Sequence, residues 1–115
     1  MRRGQICWVD LEPRIGSEAG KRRPAVIVSN DGVNRVSQRL RRGIITVVPL
    51  TSSTERVYPF QVLVHAGDGG LPVASKAQAE QVRTVDVQRV VDVLDFVSDA
   101  TMKAIDEALR LHLGL

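Results

Sequence analysis

Along most of this chain, short apolar blocks alternate with turn-forming residues, and a helical period appears only near the C-terminus. Gly4–Leu11, GQICWVDL, alternates loosely and is rich in β-formers, which predicts a first strand with Ile6, Trp8 or Val9 facing the core. Trp8 is the sole tryptophan, and the area such a ring buries favours a core position over a binding surface. Glu12-Pro13 ends the strand, and Arg14 to Arg23 forms a long loop containing Gly16, Ser17 and Gly20. Pro24 lacks an N–H and suits the first residue of a strand, and it biases Arg23 toward an extended backbone. Ala25–Val28 is the β-prone run behind it, closed by the turn signal Ser29-Asn30-Asp31-Gly32.

Gly32–Arg42, GVNRVSQRLRR, scatters four arginines among polar and isolated apolar residues, which predicts an exposed loop with at most a helical turn. Gly43–Leu50 is continuously apolar and predicts a central strand buried on both faces, with Pro49 marking where ladder pairing stops. Tyr58–His65 predicts a strand with Phe60, Val62 and Val64 on one face and Gln61, Leu63 and His65 on the other. Ala66–Gly70 is a loop, and Leu71–Ala74 is a short edge strand at best. Ala77–Thr84 sets small apolar residues against Gln78, Glu80 and Arg83, giving a polar face that can line a site. Val85–Leu94 alternates as a last strand with room for a bend or bulge. Ser98-Asp99 caps a final helix whose stripe is Met102, Ile105, Leu109 and Leu113, with Asp106, Glu107 and Arg110 outward and Gly114 as its stop. The expectation is one β-rich domain, residues 1–115, with a helical lid.

Composition narrows the function classes. With 43% apolar and 25% charged residues in 115, the chain resembles an ordinary soluble domain. Aromatic residues make up only 3%, which argues against base stacking on a row of exposed rings. One cysteine, Cys7, allows no intrachain disulfide and reads as a buried, inert thiol. With only two histidines beside it, no metal-ligand spacing is present and no cofactor is called for. Neither a membrane-spanning run nor a secretory signal is expected, and the cytoplasm is the default. The net charge of +3 is uneven: residues 1–56 hold eleven Lys/Arg against five Asp/Glu, and residues 57–115 hold five against eight. A basic half fits a polyanion, nucleic acid first, or else a solvated charged surface.

The candidate chemistry gathers at two places. Lys21-Arg22-Arg23 runs into Pro24, so cations are held at the mouth of a rigid strand, as a phosphate site requires. Thr51-Ser52-Ser53-Thr54 places four hydroxyls just past the end of the buried strand, where they either cap the chain or reach a ligand. His65 and His112 are the only candidates for a histidine acid–base pair, but His65 lies far in sequence from the basic loop and His112 beside the apolar stripe of the final helix.

These motifs, in this order, resemble those of the MazF/PemK (Kid-like) toxins: G-x-I-x-W-V-D-L-E-P, Gly16-Ser17-Glu18, K-R-R-P-A-V-I-V-S-N, V-V-P-L-T-S, Y-P-F and A-E-Q-V-R. The resemblance covers nearly the whole chain. It implies a small SH3-like β-barrel, CcdB/PemK-like and mainly β (α+β), with a C-terminal α-helix. It further implies a ribosome-independent endoribonuclease that cuts single-stranded RNA without a metal, leaving a 2′,3′-cyclic phosphate and a 5′-OH. Homodimerisation and neutralisation by an acidic MazE-like antitoxin are implied with it, and no membrane is involved. The family's catalytic arginine and threonine fall on Arg23 and Thr51, and the RNA-binding set on Ser17, Glu18, Lys21, Arg22, Ser52, Glu80, Gln81 and Arg83. The loops at 35–42 and 66–70 vary among such toxins and bear on the sequence cut.

The chemistry is legible apart from the resemblance. A pentacoordinate phosphorane carries extra negative charge, and a fixed guanidinium donates two hydrogen bonds to it while a threonine hydroxyl adds a neutral donor. Arginine stays protonated, which makes it a stabiliser before a base; the base is Glu18, Glu80 or water. Alternation alone does not choose between Arg22 and Arg23. A non-catalytic topoisomerase poison of the CcdB kind and a plain nucleic-acid-binding module are the rivals, and neither needs Arg23 and Thr51 together.

Overall fold

The computed structural model describes residues 1–13, 15–18 and 21–115; Arg14, Ala19 and Gly20 of the expected 14–23 loop lie outside the described residues. Gln5–Asp10 (β1) and Arg22–Ile27 (β2) lead into a helix, Asp31–Leu40 (α1). Ile44–Thr51 (β3), Gln61–Val64 (β4), Ser75–Gln78 (β5), Arg83–Asp86 (β6) and Val90–Phe96 (β7) follow, and Asp99–Leu113 (α2) is the last element. The strands pair antiparallel in the order β4-β5-β3-β2-β1-β7, with β6 also on β3. Because β4 and β7 are not bonded to each other, the curled α+β sheet is an open version of the small barrel expected. No helix among the described residues is long and apolar enough to cross a membrane.

β3 organises the sheet. One edge pairs with β2 through Val47, Val48 and Pro49; the other pairs with β6 from Ile44 to Val47 and with β5 at Leu50 and Thr51. Pairing therefore does not stop at Pro49. The proline sits at the handover between β6 and β5, where a missing N–H removes no bond to either. Alternation then sorts the core into two clusters. Cys7, Val9, Leu11, Ala25, Ile27, Ile45 and Val47 pack with Val85 and Val87 on one face. Ile6, Val26, Val48 and Leu50 pack with Leu71, Val97 and Ile105 on the other, beneath α2. Covering both faces is what makes β3 a continuous apolar run.

α2 begins as expected, with the Ser98 hydroxyl accepting the Thr101 N–H, and ends at Gly114 in the left-handed region. Met102, Ile105 and Leu109 pack inward, but Leu113 is exposed, so the stripe is one turn shorter than its spacing predicts. Asp106 is not a free surface carboxylate: it pairs with Arg3 at 2.6 Å. Asp68 accepts the Ser98 N–H at 2.7 Å and the Thr101 hydroxyl at 2.6 Å, fastening the 66–70 loop to the start of α2. Gly69 in that loop has φ +63, and a Cβ there would stand 2.8 Å from the Ile6 Cδ1, so only glycine fits.

Several expectations need correction. Most of the stretch 32–42 belongs to the ten-residue helix Asp31–Leu40, not to a loop, and Arg41 is its C-cap. Asn30 caps it by accepting the Val33 N–H at 2.9 Å, and Asp31 lies in its first turn. Its inward residues are polar: Asn34 donates to the Ser29 carbonyl at 2.9 Å and Ser37 to the Ile44 carbonyl at 2.9 Å. Val33, Val36 and Leu40 point outward and, with Ile44, are exposed. An apolar-stripe criterion therefore misses the helix. Leu71–Ala74 is no strand; pairing begins at Ser75, in β5, which lies between β4 and β3. Val85–Leu94 divides at a 3-10 turn, Val87–Arg89, between β6 and β7. Gln61 is buried, not outward, because its amide accepts the Tyr58 N–H at 3.1 Å and donates to Glu80 at 2.6 Å.

Cys7 is fully buried, and desolvation pushes its thiol up to about 12. Alkylation of the native protein at pH 8 is expected to be negligible and to become fast only in denaturant; ready native labelling contradicts that burial. Asn34→Ala, which strips Ser29 of a buried partner, is expected to lower unfolding stability by about 1–3 kcal/mol in urea titrations.

Candidate active site

The pairing register builds the site. Ala25 faces Pro49 and Val26 faces Val48 across β2 and β3. The same register carried two residues further sets Arg23 opposite Thr51. Val9 faces Arg23 on the β1 side, and Lys76 faces Thr51 on the β5 side. Val9, Arg23, Thr51 and Lys76 thus form one row across four strands, on one face of the sheet. Opposed residues in such a row keep their Cβ atoms about 4.5–5.5 Å apart, close enough for a guanidinium and a hydroxyl to reach one phosphate.

The next row faces the other way. Asp10 is opposite Arg22, and the register continues to Ser52 and Ser75. By alternation Arg23, and not Arg22, falls in the row of Thr51, although both arginines border the cleft at this end of β2. On the Arg22 side lies a cleft of about 370 Å³. Trp8, Pro24 and Leu50 form its floor, Leu71–Val73 a wall, and Lys21, Arg22 and Arg23 its cationic rim. Trp8 is half-buried and lines this cleft, so the expected core ring is instead part of a surface.

The remaining expected residues divide between structural and exposed roles. Lys21 is exposed at φ +64, its N–H donating to the Glu12 carboxylate and its carbonyl accepting from Leu11 at 2.8 Å. Glu18 closes its own turn by accepting the Ile15 N–H at 3.0 Å. Gln81 donates to the Ser17 carbonyl at 3.2 Å, tying the 15–18 turn to the Ala79–Gln81 segment. Glu80 accepts from Gln61 with one oxygen; the other, Oε1, is buried with no hydrogen-bond partner among the described residues. Arg83 pairs with Val47, four residues along β3 from Thr51, or about 13 Å. Ser52 is exposed on the cleft side. Continuing the printed register sets Arg23 opposite Thr51, while Lys21, Arg22, Arg23 and Ser52 all line the cleft. His65 and His112 are exposed and outside the row, and α1 with its arginines begins at the far end of β2 from Arg23. Among the described residues no group of three or more His, Cys, Asp or Glu is placed to hold a metal ion.

Lys76 is the residue that sequence reasoning missed. It is buried, its ammonium donates to the Arg56 carbonyl at 2.6 Å, and it lies 5.9 Å from the Tyr58 ring. Arg56 covers the same ring at 5.1 Å, and Tyr58 stacks on Phe60 at 5.5 Å. Lys76 thereby anchors the segment that follows Thr51. A lysine inside the small-residue run SKAQA was the available signal, since a cation amid inward positions needs a specific partner.

A model of the PemK-like, MazF-like toxins of type II toxin–antitoxin systems matches residues 2–113. The chain belongs to this family. It is 55% identical over 115 residues to the endoribonuclease MazF9 of Mycobacterium tuberculosis, covering 100% of this chain and 98% of that one. Among solved structures, MazF from Deinococcus radiodurans superposes with a TM-score of 0.84 at 28% identity, covering 100% of this chain and 97% of that one. A mycobacterial endoribonuclease solved in complex with its cognate antitoxin gives 0.77 at 30% identity, covering 100% and 96%. MazF-type toxins thus share the open barrel and C-terminal helix seen here.

Lys76→Met keeps the stem but removes the ammonium. Faster amide exchange confined to residues 53–60, with global stability nearly kept, is the expected outcome; unchanged exchange there contradicts the anchoring role.

Proposed function

We propose that this toxin endoribonuclease cleaves single-stranded RNA by attack of a ribose 2′-OH on the adjacent phosphate, with Arg23 and Thr51 acting on that phosphate. What supports the reading is the β2–β3 register: continued two residues past Ala25 and Pro49, it sets Arg23, and not Arg22, opposite Thr51. The 2′-oxygen–phosphorus bond forms and the phosphorus–5′-oxygen bond breaks, leaving a 2′,3′-cyclic phosphate and a 5′-OH. Arg23, held extended before Pro24, donates to the non-bridging and leaving oxygens as charge develops on them, and the Thr51 hydroxyl adds a neutral donor. The 2′-OH proton passes to Glu18, Glu80 or water, and the departing 5′-oxygen, hydrogen-bonded by Arg23, takes up a proton from water to become the 5′-OH. Lys21, Arg22 and Ser52 bind RNA on the cleft side, and Ser17, Glu18, Glu80, Gln81 and Arg83 on the other.

The protein acts in the cytoplasm as a homodimer. β7 supports the second copy: it ends the sheet as an edge strand and exposes Val91, Val93 and Phe96, the kind of edge that pairs with another chain. An acidic antitoxin segment, disordered when free, folds onto the basic surface and blocks it, as the antitoxin complex of the mycobacterial relative supports.

Arg23→Ala and Thr51→Ala are each expected to keep the fold and the dimer while reducing cleavage by at least about 10²-fold. The check is a gel assay of a long single-stranded RNA in EDTA with mapping of fragment ends. Wild-type cutting by both variants removes the site assignment. Intact RNA from the folded wild-type protein removes the reaction.

A further inference from the structure

The cleft behind β2 adjoins the phosphate chemistry just described, sharing Arg23 with it, but most of its lining takes no part in that chemistry. Its floor is a cross-strand row of flat or apolar groups: Trp8 is paired with Pro24, and Pro24 stands opposite Leu50 in the continued register. Trp8 is half-buried, so part of the indole is packed and part opens into the cleft. Ser52 supplies a free-standing hydroxyl at the edge, whereas the Ser75 hydroxyl already donates to the Val73 carbonyl at 2.9 Å. The rim is cationic, and no carboxylate is among the lining residues.

A flat aromatic floor below a cationic rim matches a nucleotide: a base on the ring, a phosphate on the guanidinium. The opening of about 370 Å³ is one base in scale rather than a groove for several. The position matters as much as the shape. Arg22 and Arg23 are adjacent and both border the cleft at the sheet margin, and the continued register also sets Arg23 opposite Thr51, so a strand of RNA passing that margin meets both. We propose that the Trp8 cleft is a nucleobase pocket. It holds the base of a nucleotide flanking the cut, stacked on Trp8 with its phosphate on Arg22, while the scissile phosphate lies across the margin at Arg23 and Thr51. The pocket rests on the RNA-cleavage reading above, and it makes Trp8 a residue that selects sequence.

Because Trp8 is the only tryptophan, intrinsic fluorescence of the intact protein reports on this cleft alone. The probes are six-residue 2′-O-methyl oligonucleotides of each base, which offer no attacking 2′-OH, with binding followed separately by anisotropy of a 5′-fluorescein. The proposal expects tryptophan quenching that saturates with the anisotropy and differs among the bases. Trp8→Ala should weaken binding on the order of tenfold and relax the base preference at one position flanking the cut, mapped by sequencing fragment ends. Trp8→Phe, which keeps a ring and the packing, should restore most of both. Binding without quenching, or an unaltered preference in a folded Trp8→Ala, overturns the pocket, leaves RNA cleavage standing, and makes a protein partner the candidate occupant. Failure of wild-type protein to bind or cut any RNA overturns both readings together.

Discussion

The antiparallel ladder between β2 and β3 is the constraint on which the rest of the molecule depends. Its register is held by burial, because Ala25 and Ile27 feed one core cluster and Val26 the other. A slip by one residue would exchange the faces of the whole strand. Arg23 and Thr51 sit just beyond the last buried pair, so any alignment between them comes from apolar packing they take no part in. Pro24 adds stiffness at the boundary, and β5 joins β3 where β6 leaves it, supplying Lys76 on the outer side of Thr51.

The sequence was most legible where one physical rule acted alone. The continuous run Gly43–Leu50 read as a strand covered on both faces, and so it is. Ser98 and Gly114 bounded the final helix correctly because caps are local. The arginine before Pro24 and the threonine after the buried strand, the residues proposed to act on phosphate, are candidates on position and chemistry alone. The antiparallel register, continued past Ala25 and Pro49, sets them opposite each other, something no single-strand pattern states.

The failures share a cause: tertiary partners overrode the local pattern. α1 was hidden because Asn34 and Ser37 dock it through hydrogen bonds to Ser29 and Ile44, so its inward stripe is polar. Gln61 looked outward by alternation, but Glu80 and Tyr58 satisfy its amide and make its burial tolerable. Trp8 was assigned to the core on area. What opened it to solvent is the path of Leu71–Val73, which walls the cleft without closing it. Sequence order gave no hint that the segment passes there.

The inverted polarity of α1 also bears on how the molecule behaves in a crowded solution. Val33, Val36 and Leu40, with Ile44 beside them, present an apolar strip to water, and Arg35, Arg39, Arg41 and Arg42 border it as exposed cations. Like charges keep such strips on different copies apart, and that repulsion reaches only about 8–10 Å at physiological ionic strength. The arginines thus serve as gatekeepers of colloidal stability, and added salt, by shortening their reach, brings the sticky strip into play.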